Sequence, residues 1–139
     1  MKNIFLLCIC FCIVNFSKAQ TQEQEIEAVK TVCNYYLEGG TNGDSVMFSK
    51  AFHPDGLMQY MRNDTVQKVL LKDFMARMSN SGKKQARTSK IETVEVYGNA
   101  AVAKLTIEYP GFYFHDIMSP LKIKDDWMIV GKTFFRQNK

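Results

Sequence analysis

Few side chains in this sequence have the chemistry to act on a ligand, and they are widely spaced. There are two histidines, His53 and His115, and His53 stands in the run AFHPDG at positions 51–56. An imidazole titrates near neutral pH, so His53 aimed into a pocket would serve as a general acid or base. Equally, His53 followed by Pro54 reads as the polar end of a helix, where a donor satisfies the last carbonyls. Asp116 is the second catalytic candidate. Period-two alternation puts it on the same side of a strand as Phe112, Phe114 and Met118. A carboxylate on an apolar face is costly unless paired, and an unpaired one holds its proton tightly enough for proton transfer. The bland alternative is a structural ion pair or a solvent-facing side. His115 points the opposite way by the same alternation.

Lys132 interrupts Met128, Val130 and Phe134 on the last strand as an isolated cation. It could neutralise Asp116, bind an acidic or carbonyl-bearing ligand, or simply extend its ammonium to water at the sheet edge. Tyr36, Tyr60 and Tyr109 could offer phenol donors to a ligand in an apolar cup, with Phe112, Phe114 and Met118 as its walls. Met58, Met61, Met75, Met78 and Met128 read as packing. Two histidines without close partner ligands argue against a metal site. The sequence has no glycine-rich phosphate loop, serine nucleophile elbow or dinucleotide fingerprint, so no cofactor is expected.

Residues 1–19 are expected to be a cleaved signal peptide. A short basic start precedes the apolar run from Ile4 to Phe16, and Ser17-Lys18-Ala19 presents small residues for cleavage before Gln20. The run is shorter than the about 20 residues that span a bilayer, so no stable membrane insertion is expected after cleavage. The expected address is periplasmic or extracellular. Cleavage would remove Cys8, Cys10 and Cys12 and leave Cys33 alone, within a helical pattern and expected to be a buried, inert thiol. Loss of Lys2 and Lys18 would reduce the formal charge from +4 to +2, too little to argue for nucleic acid. Residues 20–139 then form one domain.

The elements that must position these groups follow from periodicity. Apolar residues at Ile26, Val29, Val32, Cys33, Tyr36 and Leu37 predict a helix over Gln22–Glu38, stopped by Gly39-Gly40. A second helix is predicted over Ser45–Phe52, capped by the Asn42-Gly43-Asp44 run. Leu57–Arg62 and Thr65–Val69 flank Asn63-Asp64 as a hairpin, and Leu71–Met78 returns to helical spacing. After a basic loop, four strands are predicted over Thr88–Tyr97, Ala100–Tyr109, Phe112–Lys124 and Trp127–Phe135. The plan is α+β: three N-terminal helices packed on a strongly curved antiparallel sheet. Ile117, Leu121 and Ile123 make the other face of their strand apolar as well, so a second copy of the chain, as a homodimer, is expected to cover it.

The FHPD junction, the strand AVAK leading into YPG, and the closing pattern LKI-x-x-x-W-x-I-V-x-K-x-F together resemble the “putative lumazine-binding” branch of the nuclear transport factor 2-like proteins. That resemblance runs from about Glu25 to Phe135, and implies a cone-shaped fold with a pocket at its wide end and frequent dimerisation through the outer sheet face. Pro120 departs from the pattern and predicts a bulge or an edge position. Fold does not choose a function here. Three readings are open: an exported module binding a small apolar or aromatic ligand, a proton-transfer enzyme of isomerase, cyclase or dehydratase type using Asp116 or His53, and a dimeric interaction protein.

Overall fold

The computed structural model describes residues 21–139, and the expected signal segment lies outside the described residues. Helix α1 (Gln22–Asn42) opens with a capping box: the Thr21 hydroxyl accepts from the Gln24 amide, and the Gln24 side chain accepts from the Thr21 amide. Val29, Val32, Cys33, Tyr36 and Leu37 form its buried stripe. The helix does not stop at Gly39-Gly40. It continues to Asn42 and ends where Gly43 adopts φ 64°, the left-handed cap conformation. The two internal glycines are there for close approach. A Cβ on Gly39 would overlap the Phe48 backbone, and one on Gly40 would overlap the Arg87 guanidinium.

Asp44 caps α2 (Ser45–Ser49) by accepting from the Met47 amide at 2.8 Å. Strand β1 (Phe52–Arg62) comes directly after it and returns through Asn63 and Asp64, both at positive φ, into β2 (Thr65–Leu70). Helix α3 (Leu71–Ala76) comes next. The remaining chain is a meander of β3 (Thr88–Tyr97), β4 (Ala100–Tyr109), β5 (Phe112–Ile123) and β6 (Asp126–Asn138). All six strands form one sheet in the order β2-β1-β6-β5-β4-β3.

Three expectations are corrected here. Among the described residues only α1 and α2 precede the strands, because α3 is inserted after the first hairpin. The sheet is mixed, since β1 and β6 run parallel, and it is not strongly curled. Turn chemistry dictates antiparallel hairpins, but no turn links β1 to β6, so nothing local determined their direction. The third correction concerns AFHPDG. The second helix ends at Ser49, and His53 lies in β1 rather than at a helix end. Phe52 pairs with Ile129 and Leu57 with Gly131, so positions 53–56 bulge out opposite Val130.

A second irregularity falls at the same place. Ser119 pairs with Gly131 and Pro120 with Ile129, so Val130 is the extra residue and Pro120 sits at a bulge. The bulge changes which face β6 presents. Before it, Trp127 and Ile129 point to the core; after it, Lys132 does, with Phe134 half-buried beside it. The core lies between α1 and this sheet face, where Ala103, Leu105, Ile107 and Met118 are buried. The Glu25 carboxylate ties the start of α1 to the β5–β6 hairpin, accepting from Lys122 Nζ at 2.5 Å and Trp127 Nε1 at 2.7 Å.

Gly39→Ala should destabilise the fold by about 1–3 kcal/mol through overpacking, although helix propensity alone would favour alanine by roughly 1 kcal/mol. Urea unfolding of the two proteins reads the sign directly. The Lys122 and Trp127 donors hold the Glu25 carboxyl below its ordinary range. A depressed folded value means that this tie contributes fully above the unfolded value of about 4.3 and is lost as pH falls through the folded one. In urea midpoints recorded across acid pH, Glu25→Gln should therefore flatten the lowest part of the profile.

Candidate functional site

The cross-strand registers bring the candidate residues together. On the core face Asp116 sits opposite Leu105 on β4 and Phe134 on β6, while Lys132 sits opposite Met118 on β5 and Met58 on β1. Asp116 and Lys132 are therefore diagonal neighbours on one face. Lys132 Nζ lies 2.5 Å from Asp116 Oδ2, and the side chains are 4 % and 1 % exposed. Tyr36 reaches this pair from α1. Its hydroxyl donates to Asp116 Oδ2 at 2.7 Å and accepts from Lys132 Nζ at 3.2 Å.

Electrostatics in this triad follow from burial and from the pairing. Burial pushes the Lys132 ammonium below its ordinary value, and the Asp116 carboxylate offsets part of that. The Tyr36 phenol is pushed well above its ordinary value, first by burial and then by the carboxylate it donates to. It stays protonated as a donor. Asp116 Oδ1 is buried and has no hydrogen-bond partner among the described residues, and a buried acceptor left in this state costs about 1–3 kcal/mol. Two of the three Lys132 N–H donors are engaged, by Asp116 and Tyr36.

Above the triad lies a cavity of about 250 Å³ bordered by Tyr36, Asp116 and Lys132. Its walls are Met58, Tyr60, Phe74, Phe114 and Phe134, and Arg77 stands at the rim. Tyr60 stacks on Phe134 with ring centroids 4.8 Å apart, and Phe114 meets Phe134 edge-on at 5.4 Å. Tyr60 and Phe114 thus line the cavity. Tyr109 does not. It borders an adjoining cavity of about 220 Å³, where its hydroxyl accepts from Arg87 at 2.8 Å and donates to Gln85 at 3.1 Å.

Phe112 and Met118 line neither cavity. Met118 is wholly buried in the core, and Phe112 stacks on Tyr109 at 4.7 Å with Arg136 over its outer face. Strand alternation gave both the correct face, but not their position along it. His53 is half-buried in the β1 bulge, lines neither cavity, and accepts from the Asp55 amide at 3.3 Å. The structure does not bring His53 and Asp116 to one point. His115 points away, with its ring nitrogens facing Thr106 and Gln137. Burial pushes the Cys33 thiol up to about 12, leaving it un-ionised.

Sequence reasoning missed Arg77, Arg87, Phe74 and Phe134. Phe74 was visible as an apolar position of α3, and Phe134 as a neighbour of Lys132 in alternation. Arg77 falls within the predicted helix Leu71–Met78 and Arg87 at the end of the basic loop, and no local signal in either element points to a cavity.

Lys132→Met should cost roughly 3–5 kcal/mol by leaving the Asp116 charge buried and unpaired. The double variant Asp116→Leu with Lys132→Met should lose far less than the sum of the single changes. Chemical unfolding of the four proteins of this cycle measures the difference.

A sequence profile of the family described as “Putative lumazine-binding” matches residues 24–135. No curated protein matches the chain. Among solved structures, an NTF2-like protein of unknown function from Shewanella baltica OS155 is 23 % identical with a TM-score of 0.77, covering 87 % of this chain and all (100 %) of that one. Another, from Methylobacillus flagellatus KT, is 25 % identical with a TM-score of 0.71, covering 86 % and 96 %. A ketosteroid isomerase-like protein from Erwinia carotovora atroseptica SCRI1043 is 12 % identical with a TM-score of 0.64, covering 81 % and 96 %. These likenesses concern the fold. The chain belongs to the “Putative lumazine-binding” family and has the NTF2-like α+β fold.

Proposed function

We propose that the chain is an exported small-molecule-binding module whose ligand is a flat heteroaromatic ring with a lactam or imide edge. The observation that carries this reading is the triad beneath an aromatic cavity. Asp116 Oδ1 has an unfilled acceptor position and Lys132 a third N–H, so a ligand settling onto the triad would find one acceptor and one donor there. A ring N–H adjacent to a carbonyl would satisfy both at once. The walls suit the faces of such a ring, since Tyr60, Phe74, Phe114 and Phe134 offer aromatic contacts.

Size narrows the class. Drug-sized ligands occupy pockets of roughly 300–1,000 Å³, and the cavity of about 250 Å³ suits a bicycle rather than a longer molecule. A lumazine, a pteridine carrying an imide, has both the shape and the edge, in keeping with the family's description. The reading assigns binding without a chemical step, because Asp116 Oδ2 already accepts from two groups and His53 lies elsewhere.

Export rests on the composition of residues 1–19. No described helix is long and apolar enough to cross a membrane. Ile117, Leu121, Ile123 and Phe135 are exposed, which supports a homodimer in which a second copy covers them.

Native mass spectrometry of the protein purified from an exported source, followed by calorimetric titration with lumazine, tests the proposal. Saturable one-to-one binding is expected, weakened about tenfold in Tyr60→Ala, since stacking on one ring is worth roughly 1–3 kcal/mol. Absence of binding at millimolar lumazine by a folded protein free of co-purified ligand would sink the reading. The same spectra report monomer or dimer.

A further inference from the structure

The two adjoining cavities share Tyr36, Phe74, Phe114 and Arg77 in their walls, and their charges do not balance. Among the described residues, Asp116 is the one acid bordering either cavity, against Lys132, Arg77 and Arg87. One negative charge against three positive ones leaves an excess of two. Lys132 is neutralised by Asp116, so the excess belongs to the arginines.

Arg87 is held in place by neutral partners. Nε donates to Thr41 Oγ1 at 3.0 Å, Nη2 to the Leu37 carbonyl at 2.9 Å and Nη1 to the Tyr109 hydroxyl at 2.8 Å. These bonds place it at the last turns of α1, whose carbonyl end favours a cation, but none is to a carboxylate. Three of its five N–H donors are engaged. Glu108, which shares a surface groove with Arg87, is taken by Lys139 at 2.6 Å. Arg77 lies just past the end of α3, is exposed, and its guanidinium has no hydrogen bond or ion pair among the described residues. A rigid, pre-positioned cation and a free one therefore face the same mouth.

We infer that the ligand is an anion: an aromatic ring in the first cavity bearing a carboxylate that Arg77 and Arg87 receive in the second. This rests on the binding reading and adds its charge. A planar carboxylate matches the guanidinium fork and would take the unused N–H groups of Arg87, while Arg77 closes over it from the rim. The apolar wall, Phe48, Ile107 and Phe114, limits competing water around the charge. Gly40 leaves the space that the Arg87 side chain occupies.

A matched pair of bicyclic probes, 2-naphthoate and its neutral amide 2-naphthamide, tests the inference by titration calorimetry, with lumazine as a third probe. Naphthoate should bind at least about tenfold more tightly than the amide, as expected for one charge-assisted pair, and added salt should narrow the gap. Arg77→Gln touches no side-chain partner, so the fold should persist while the preference shrinks; Arg77→Lys should retain most of it. Equal binding of acid and amide, or a gap unchanged in Arg77→Gln, overturns the inference and leaves the binding reading standing. Binding of lumazine without naphthoate has the same meaning. Failure of all three probes to bind overturns the inference and the binding reading together.

Discussion

The ion pair between Asp116 and Lys132, with the Tyr36 hydroxyl between them, joins three elements at the centre of the molecule. Asp116 comes from β5, Lys132 from β6 and Tyr36 from α1. Taking two charges out of water costs several kcal/mol for each ion, and hydrophobic residues of the same size are often as stable or more so. Stability alone therefore does not account for a pair buried to this degree. Its geometry does more to explain it, since the pair links α1 to the sheet through Tyr36 and leaves one buried oxygen of Asp116, a residue that borders the aromatic cavity, without a partner among the described residues.

That arrangement depends on a local irregularity in the sheet. In an uninterrupted β6, Lys132 would share a face with Met128 and Val130 and so point away from Ile129. The extra residue at Val130, opposite both the Pro120 bulge and the 53–56 bulge, reverses the parity of the rest of the strand. Pro120 lacks the amide that a regular ladder would use at its position. One missing N–H on β5 and the HPDG excursion on β1 are accommodated at the same level of β6, and the cation turns inward as a result.

A second dependence runs through α1. Phe48 and Phe74 pack with Phe52 and Tyr36 in an aromatic cluster whose centroids lie 5.3–5.7 Å apart. That cluster needs α2 close against α1, which Gly39 allows, and Arg87 needs the space over Gly40. The glycines weaken the helix locally, and the packing they admit compensates. The wall of the cavity and the cation beside it thus share one cause.

Much of this molecule is determined by its sequence alone, because the signals are local. The α1 stripe, the Asp44 cap, the positive-φ pair Asn63-Asp64 and the tight turns of the strand meander are decided within a few residues by sterics and hydrogen bonding. Alternation likewise placed Asp116 and Phe114 on the core face and His115 on the other. Tertiary structure decided the features that depend on distant partners. The parallel pairing of β1 with β6 has no turn to announce it, and AFHPDG reads locally as a helix end, whereas its pairing with Ile129 and Gly131 makes it a bulge in a strand. Gly39-Gly40 signals helix termination locally, yet here it marks the approach of Phe48 and Arg87. The triad joins residues as many as 96 positions apart, and only the folded chain brings Asp116, Lys132 and Tyr36 close enough to interact and sets Arg77 and Arg87 around one cavity.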